Sequence, residues 1–139
     1  MSEYTIESAI KLKNNGEIPI LGLGTWLADG KECTQAVLWA LDAGYRHIDT
    51  ASYYGNEKQI KKALEKTDVD RKDIFVTTKL WNSDHGFDNA LKAMDKSLKR
   101  LGLDYVDLYL IHWPVSGKRI ETWKAMEKIK EEGKPKPSV

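Results

Sequence analysis

Residues 74–111 read IFVTTKLWNSDHGFDNALKAMDKSLKRLGLDYVDLYLI and contain a complete strand–helix–strand unit. Residues 74–78 are β-branched or aromatic, which is typical of a strand. Over residues 87–101 the apolar side chains recur at the helical period for four turns, and Gly102 is placed to end that helix. Residues 105–111 form a second apolar strand. A strand, a helix of this length and another strand predict parallel pairing through a right-handed crossover.

The same alternation extends toward both ends of the chain. Further strands and amphipathic helices are predicted in turn at residues 20–24, 31–42, 45–49, 57–66 and 120–131. Residues 20–132 therefore hold four β-α units within one domain. Open doubly wound sheets and (β/α)₈ barrels share this α/β alternation, and periodicity does not separate them. A complete barrel needs about 250 residues, so a chain of 139 residues can supply half of one.

A β-hairpin is predicted ahead of the first unit, at residues 9–20. Residues 9–13 alternate apolar and polar side chains, as a half-buried strand does. Asn14-Asn15-Gly16 follows, and an Asn-Gly pair is typical of a tight turn because both residues tolerate positive φ. Pro19 has no N–H donor, so the return strand is expected to be short or to lie at an edge.

Composition limits the classes of partner. The chain has 22 basic and 21 acidic residues, a net charge of +1, and lacks the concentrated positive field that nucleic acids and anionic membranes require. No apolar run approaches the roughly 20 residues that span a bilayer. Cys33 is the single cysteine, and the first nine residues have no apolar signal core. We therefore expect a cytoplasmic protein without an intramolecular disulfide.

Several polar residues receive a structural interpretation. His47, His85 and Cys33 match no common zinc spacing, so no metal site is predicted. Lysines cluster around the second predicted helix, and we interpret them as a solvated face: Lys58, Lys61, Lys62 and Lys66.

Ionisable side chains accumulate where the predicted strands end. Asp49 closes the second strand of the β-α series, Lys79 the third and His112 the fourth, while Tyr54 lies in the loop after the second. Parallel α/β folds bind ligands at the carboxyl ends of their strands. These four side chains are therefore candidates for a shared proton-transfer site.

The residue types suit reduction of a carbonyl group. A free tyrosine, with a pKa of about 10, is a poor proton donor at neutral pH, and an adjacent ammonium stabilises the phenolate. Lys79 can act in this way on Tyr54, and a buried lysine needs a carboxylate partner, for which Asp49 is the candidate. His112 can hydrogen-bond a substrate carbonyl.

From spacing alone, each of these side chains also has a structural interpretation. Asp49 can cap the next helix, Tyr54 can pack against Tyr53, Lys79 can be a surface charge, and His112 can be a structural histidine. Both interpretations stay open at this point.

Four motifs together resemble the aldo-keto reductase family. The residues that carry the resemblance are IPILGLGTW (18–26), GYRHIDTA (44–51) with YGNE (54–57), FVTTKLW (75–81) and VDLYLIHWP (106–114). They occur in the family's order, and the similarity covers residues 11–134. The resemblance implies a (β/α)₈ barrel that reduces aldehydes and ketones with NADP(H), and a small-molecule carbonyl compound as substrate.

The resemblance also implies site roles. Tyr54 would be the general acid, Lys79 its activator, Asp49 the partner of Lys79, and His112 the group that orients the carbonyl. Cofactor contacts are expected at Thr25, Trp26 and Asp49. Substrate contacts are expected at Trp26, Trp81, His112 and Trp113. The family's sugar-phosphate and adenine contacts come from a later part of its chain.

The chain departs from the family at its end, where residues 135–139 read PKPSV and are expected to be a tail unlike the family. Two prolines in three residues disfavour an interior strand. A half barrel would expose strand edges and barrel positions such as Val76 and Leu110, which favours self-association and weak cofactor binding. Two hypotheses of different class therefore remain: an oxidoreductase, or a non-catalytic half barrel that binds its own copy or a full-length relative. Catalysis with another cofactor is a third, weaker option.

Overall fold

The computed structural model describes residues 4–13 and 16–135. A two-stranded hairpin, β1 (Ala9–Lys11) and β2 (Glu17–Pro19), precedes a four-stranded sheet made of β3 (Leu23–Gly24), β4 (His47–Asp49), β5 (Phe75–Leu80) and β6 (Leu108–Ile111). The helices are α1 (Gly30–Asp42), α2 (Glu57–Leu64), α3 (Phe87–Leu101) and α4 (Arg119–Glu131). Short 3₁₀ turns occur at Ser52–Tyr54, Arg71–Asp73 and Asn82–Asp84.

The predicted hairpin is confirmed. β1 and β2 pair antiparallel with Ile10 opposite Ile18, and the Leu12 N–H donates to the Gly16 carbonyl at 2.8 Å. β2 ends at Pro19, as expected for a residue that cannot donate to a ladder. The turn predicted at Asn14-Asn15 lies outside the described residues.

The larger sheet is parallel throughout, in the order β3-β4-β5-β6. A helix lies between each pair of consecutive strands, so the predicted β-α succession is confirmed. The strands differ from prediction mainly at their starts, since β3 begins at Leu23 and β4 at His47. β5 runs on to Leu80, which places Lys79 inside the strand. A strand's length depends on where its neighbours offer partners, and this is not encoded in its own residues.

The core lies between the parallel sheet and the helices. Its fully buried side chains include Val37 and Leu41 from α1, Ile60 from α2 and Met94 from α3. The expectation that Val76 meets water or another chain is wrong, because this side chain is 0% exposed within that core. Alternation along β5 turns it toward the helices. Leu110 is 39% exposed, as expected for a side chain that a closed barrel would cover.

Beyond α4 the chain returns to the free edge of the sheet. The Val106 N–H donates to the Lys134 carbonyl at 2.8 Å, and Val106 forms an isolated parallel bridge with Pro135. Pro135 therefore lies beside the residues that lead into β6, where a next parallel strand would start. None of the helices in the described residues combines the length and apolar character needed to cross a membrane.

Candidate active site

The four predicted catalytic side chains come from the carboxyl ends of neighbouring strands. Asp49 is the last residue of β4, Tyr54 ends the 3₁₀ turn that follows, and Lys79 is next to last in β5. His112 directly follows β6, and its backbone N–H donates to the Leu80 carbonyl at 3.1 Å. Parallel pairing of the three strands brings these side chains to one end of the sheet.

Lys79 is at the centre of the cluster. Its Nζ donates to Asp49 Oδ2 at 2.8 Å, to the Thr50 carbonyl at 3.0 Å and to the Tyr54 hydroxyl at 3.3 Å. The Lys79 side chain is 13% exposed and that of Asp49 is 35% exposed. Three oxygen atoms therefore surround this largely buried amine as hydrogen-bond acceptors. The surface-charge interpretation of Lys79 is therefore excluded.

The alternative interpretation of Asp49 as a helix cap is excluded as well. The residue at the N-cap of α2 is Asn56, and Asp49 directs its carboxylate at Lys79 instead. The turn that carries Tyr54 is held against β5, because Ser52 Oγ donates to the Lys79 carbonyl at 3.0 Å. The hydroxyl of Tyr54 and the ammonium of Lys79 are therefore fixed relative to each other by side chain and backbone.

His112 faces the Tyr54 ring edge-on. Their ring centroids are 5.6 Å apart at 80°, and the His112 ring lies 5.2 Å from that of Trp81 at 78°. Within the described residues, its buried Nδ1 has no hydrogen-bond partner. Burial lowers the pKa of His112, the Lys79 charge acts in the same direction, and Asp49 opposes it. The imidazole is therefore neutral at neutral pH and keeps one N–H to donate.

Aromatic rings form one wall of the site. Trp26 lies 4.9 Å from Tyr54, and its ring stacks on Tyr53 at 5.6 Å. Tyr53 in turn stacks on Trp81 at 3.7 Å. Trp26 and Trp113 are 51% and 59% exposed, so this aromatic wall is open to a ligand. Tyr53 was weighed from sequence only as a packing partner of Tyr54, and its place between two tryptophans was missed.

Asn56 is a second residue that sequence reasoning missed. Its Nδ2 donates to the carbonyls of Thr25 at 2.7 Å and Ala28 at 3.0 Å, and its Oδ1 accepts from the Thr50 hydroxyl at 2.9 Å. Asn56 is 1% exposed. It thus ties the loop that carries Trp26 to the end of β4. Asn56 is the N-cap residue of α2, but its side chain makes no cap hydrogen bond to that helix.

A buried acid supports the site from the helix side of the sheet. Glu57 is 1% exposed and accepts from the Thr78 hydroxyl at 2.7 Å and from Arg100 Nε at 2.6 Å. Since Thr78 precedes Lys79 in β5, this contact fixes the strand at the point where the lysine turns toward the opposite face.

Known proteins share both the sequence and the fold of this chain. Residues 20–136 match the Aldo/keto reductase family. The chain belongs to the aldo/keto reductase family. It is 50% identical over 128 residues to 9,11-endoperoxide prostaglandin H2 reductase of Trypanosoma cruzi (strain CL Brener), covering 91% of this chain and 45% of that protein.

Solved structures of aldo-keto reductases have the same fold. One is an aldo-keto reductase enzyme from a Medee basin deep-sea metagenome library, with a TM-score of 0.89, 51% identity, and coverage of 91% of this chain and 47% of that one. Another is the Bombyx mori aldo-keto reductase in complex with NADP, with a TM-score of 0.86, 40% identity, and coverage of 95% and 49%. The chain spans about half the length of these aldo/keto reductases and has the fold of half a (β/α)₈ barrel.

The two histidines outside the Asp49–Tyr54–Lys79–His112 cluster make structural contacts in this aldo/keto reductase domain. His85 is 0% exposed with Nδ1 3.2 Å from the Thr122 hydroxyl, and His47 Nε2 lies 2.9 Å from the Thr77 hydroxyl. Burial lowers the pKa of both. Among the described residues, no group of three or more His, Cys, Asp or Glu side chains is placed to hold a metal ion.

Acidification should destabilise this fold through these histidines. A histidine whose pKa is lower in the folded chain binds its proton more readily when unfolded, so stability is full above the unfolded value of about 6.5 and falls as the pH drops through it. We expect a smaller free energy of unfolding in urea at about pH 5.5 than at about pH 8. His85→Gln should reduce that difference. An unchanged pH dependence in this variant would contradict the assignment.

Proposed function

We propose that this chain carries the catalytic residues of an NADP(H)-dependent reductase of aldehydes and ketones, with Tyr54 as the general acid. The observation that carries this proposal is the Lys79 ammonium, which lies 3.3 Å from the Tyr54 hydroxyl and 2.8 Å from Asp49 Oδ2. A phenol beside a cation that a carboxylate keeps charged is suited to give up its proton.

Reduction of a carbonyl group needs a hydride at its carbon and a proton at its oxygen. When bound, NADPH supplies the hydride that adds to the carbonyl carbon. Tyr54 gives its hydroxyl proton to the carbonyl oxygen, and the C=O bond becomes a C–O–H group. The phenolate that remains is stabilised by the Lys79 ammonium, which is itself paired with Asp49.

His112 and the aromatic wall orient the substrate. The neutral imidazole of His112 donates an N–H to the carbonyl oxygen, beside the proton donor Tyr54. Trp26, Trp81 and Trp113 then bound the space for the rest of the substrate. Aromatic surfaces favour apolar or flat carbonyl compounds, because they bury such groups without leaving a polar group unpaired.

The residues present fit the nicotinamide end of the cofactor. Trp26 offers an exposed ring beside Tyr54, and Asp49 is still 35% exposed although it pairs with Lys79. Thr25 is 1% exposed and its hydroxyl donates to the Asp49 carbonyl at 3.1 Å. Thr25 therefore positions the loop that carries Trp26, and Trp26 would contact the nicotinamide. The Bombyx mori relative, whose structure contains NADP, supports this choice of cofactor.

Substitution of the proposed acid tests the function. Tyr54→Phe removes the transferable proton and keeps the ring, so NADPH oxidation with a simple aldehyde should slow about 100-fold or more. The loss of NADPH absorbance measures this in matched wild-type and variant preparations. Tyr53→Phe is the control, because Tyr53 makes stacking contacts that phenylalanine keeps. Equal rates for wild type and Tyr54→Phe would contradict the proposal.

A second candidate function is a non-catalytic half barrel that binds another copy of the chain or a full-length relative. A cavity of about 500 Å³ runs along β6 and α4, lined largely by apolar side chains. Leu110, Ile120 and Trp123 are 39%, 73% and 59% exposed at this side of the molecule. Apolar surface beside an unpaired strand edge favours association.

One pair of measurements separates the two candidates. The half-barrel function predicts no NADPH oxidation by wild type or Tyr54→Phe, together with a concentration-dependent dimer in sedimentation experiments. Turnover that depends on Tyr54 supports the enzyme instead. A chain that is both inactive and monomeric at all concentrations would contradict self-association.

A further inference from the structure

A basic groove lies between α2 and α3, on the helix side of the sheet. Its cavity measures about 560 Å³ and is lined by one carboxylate, Glu65, and by six cationic side chains: Lys58, Lys61, Lys62, Lys96, Lys99 and Arg100. From sequence, the lysines of α2 were interpreted as a solvated face. Only packing of α3 beside α2 brings three more cations opposite them.

Most of this charge has no partner. Lys61 lies 3.6 Å from Glu65, and Arg100 contacts Glu57. Within the described part of the chain, no carboxylate lies within 4.0 Å of the four remaining groove cations, Lys58, Lys62, Lys96 and Lys99. The chain as a whole has a net charge of only +1, so this groove concentrates positive potential at one place.

The groove is also partly rigid. Arg100 Nε donates to the buried Glu57 carboxylate at 2.6 Å and its Nη2 donates to Ser97 at 3.2 Å, which fixes the guanidinium. The stem of Lys61 packs against Gly102 so closely that a Cβ there would lie 2.8 Å from Lys61 Cε. Of the six groove cations, Arg100 and the stem of Lys61 are thus held in place before a ligand arrives, so these two lose less conformational entropy on binding it.

We propose that this groove binds a small anion bearing several phosphate groups. Phosphate oxygens accept from a fixed guanidinium and from lysine ammonium groups, which is the set of donors present. The cavity suits a compact ligand, and the near-zero net charge of the chain disfavours an extended polyanion. The groove lies on the face of β5 where Thr78 contacts Glu57, whereas Lys79 points to the opposite face. Its Lys96 and Arg100 also line a smaller cavity with Tyr53 and Trp81.

Titration with sodium tripolyphosphate tests the proposal. A groove variant with Lys58→Ala, Lys62→Ala and Lys99→Ala is compared with a control variant, Lys31→Ala, Lys72→Ala and Lys124→Ala, which removes the same charge from exposed sites elsewhere. We expect saturable binding of one ion to the wild-type chain by calorimetry. The groove variant should bind about tenfold more weakly or worse, and the control should stay within about twofold of wild type.

Three results would overturn the proposal: absence of saturable binding, equal weakening in both variants, or tighter binding of a mixed-sequence RNA than of tripolyphosphate. A measurement on the wild-type chain avoids any dependence on variant folding. Acetylation of lysines with and without tripolyphosphate, read by mass spectrometry, should show protection of Lys58, Lys62, Lys96 and Lys99. Lys124 should react equally in both samples, and uniform reactivity at all these lysines would also count against the site.

Discussion

Lys79→Met should lower the rate of NADPH-dependent carbonyl reduction about 100-fold or more. The methionine keeps much of the side-chain volume but removes the cation that lies 2.8 Å from Asp49 and 3.3 Å from the Tyr54 hydroxyl. The phenolate formed by proton transfer would then lack its stabilising charge, and Asp49 would remain without its ion-pair partner. Initial rates at saturating NADPH and aldehyde measure the effect.

Lys72→Met is the matched control, because it shows whether the loss of any lysine charge lowers the rate. Lys72→Met removes an ammonium whose side chain is 72% exposed and which lies 3.7 Å from an equally exposed Asp70. It should leave the rate within about twofold of wild type, since exposed ion pairs contribute little. If Lys79→Met and Lys72→Met show the same rate, Lys79 does not activate Tyr54. Far-ultraviolet circular dichroism checks that both variants are folded.

Asn56→Ala should lower the free energy of unfolding by about 3 kcal/mol. The buried amide donates to two carbonyls in the loop from Thr25 to Ala28 and accepts from Thr50. Alanine removes these three hydrogen bonds and a longer fourth one, which the Thr25 hydroxyl donates to Asn56 Oδ1 at 3.5 Å, and it leaves the two loop carbonyls without that donor. The same change frees the loop that carries Trp26, so the Michaelis constant for NADPH should rise. Urea unfolding and steady-state kinetics measure the two effects.

Asn89→Ala is the control for this substitution. Asn89 makes one long contact, from Nδ2 to the His85 carbonyl at 3.5 Å. Its replacement should therefore cost well under 1 kcal/mol. Comparable destabilisation by the two alanine variants would show that the Asn56 hydrogen bonds do not hold the loop.

Local sequence was most informative about the helices. The pattern over residues 87–101 predicted α3 with the bounds that the structure shows, because the apolar stripe and Gly102 agree. The strands were predicted less closely. β3 keeps only two of its five predicted residues, and Val76 turns toward the helices although it was expected to face water. Strand length and facing depend on neighbouring strands that are distant in sequence.

The candidate site was also predicted only in part from the sequence. Motif resemblance and strand-end position identified Asp49, Tyr54, Lys79 and His112 from sequence, and the structure brings them together. Tyr53 and Asn56 were missed, although both lie inside the same motif region. Their roles come from contacts with Trp26, Trp81, Thr25 and Ala28, which arrive from other strands and loops. A residue's type gave no sign of these partners.

The sequence by itself determined the order of strands and helices, the family, and the four side chains that meet at the strand ends. Each of these depends on local periodicity or on a contiguous motif, which the chain carries along its length. Only the tertiary structure decided that Lys79 touches Asp49 and Tyr54 at once, and that cations of α2 and α3 face one groove. Those facts depend on distances between residues that are far apart in the chain, and such distances are set by how strands and helices pack.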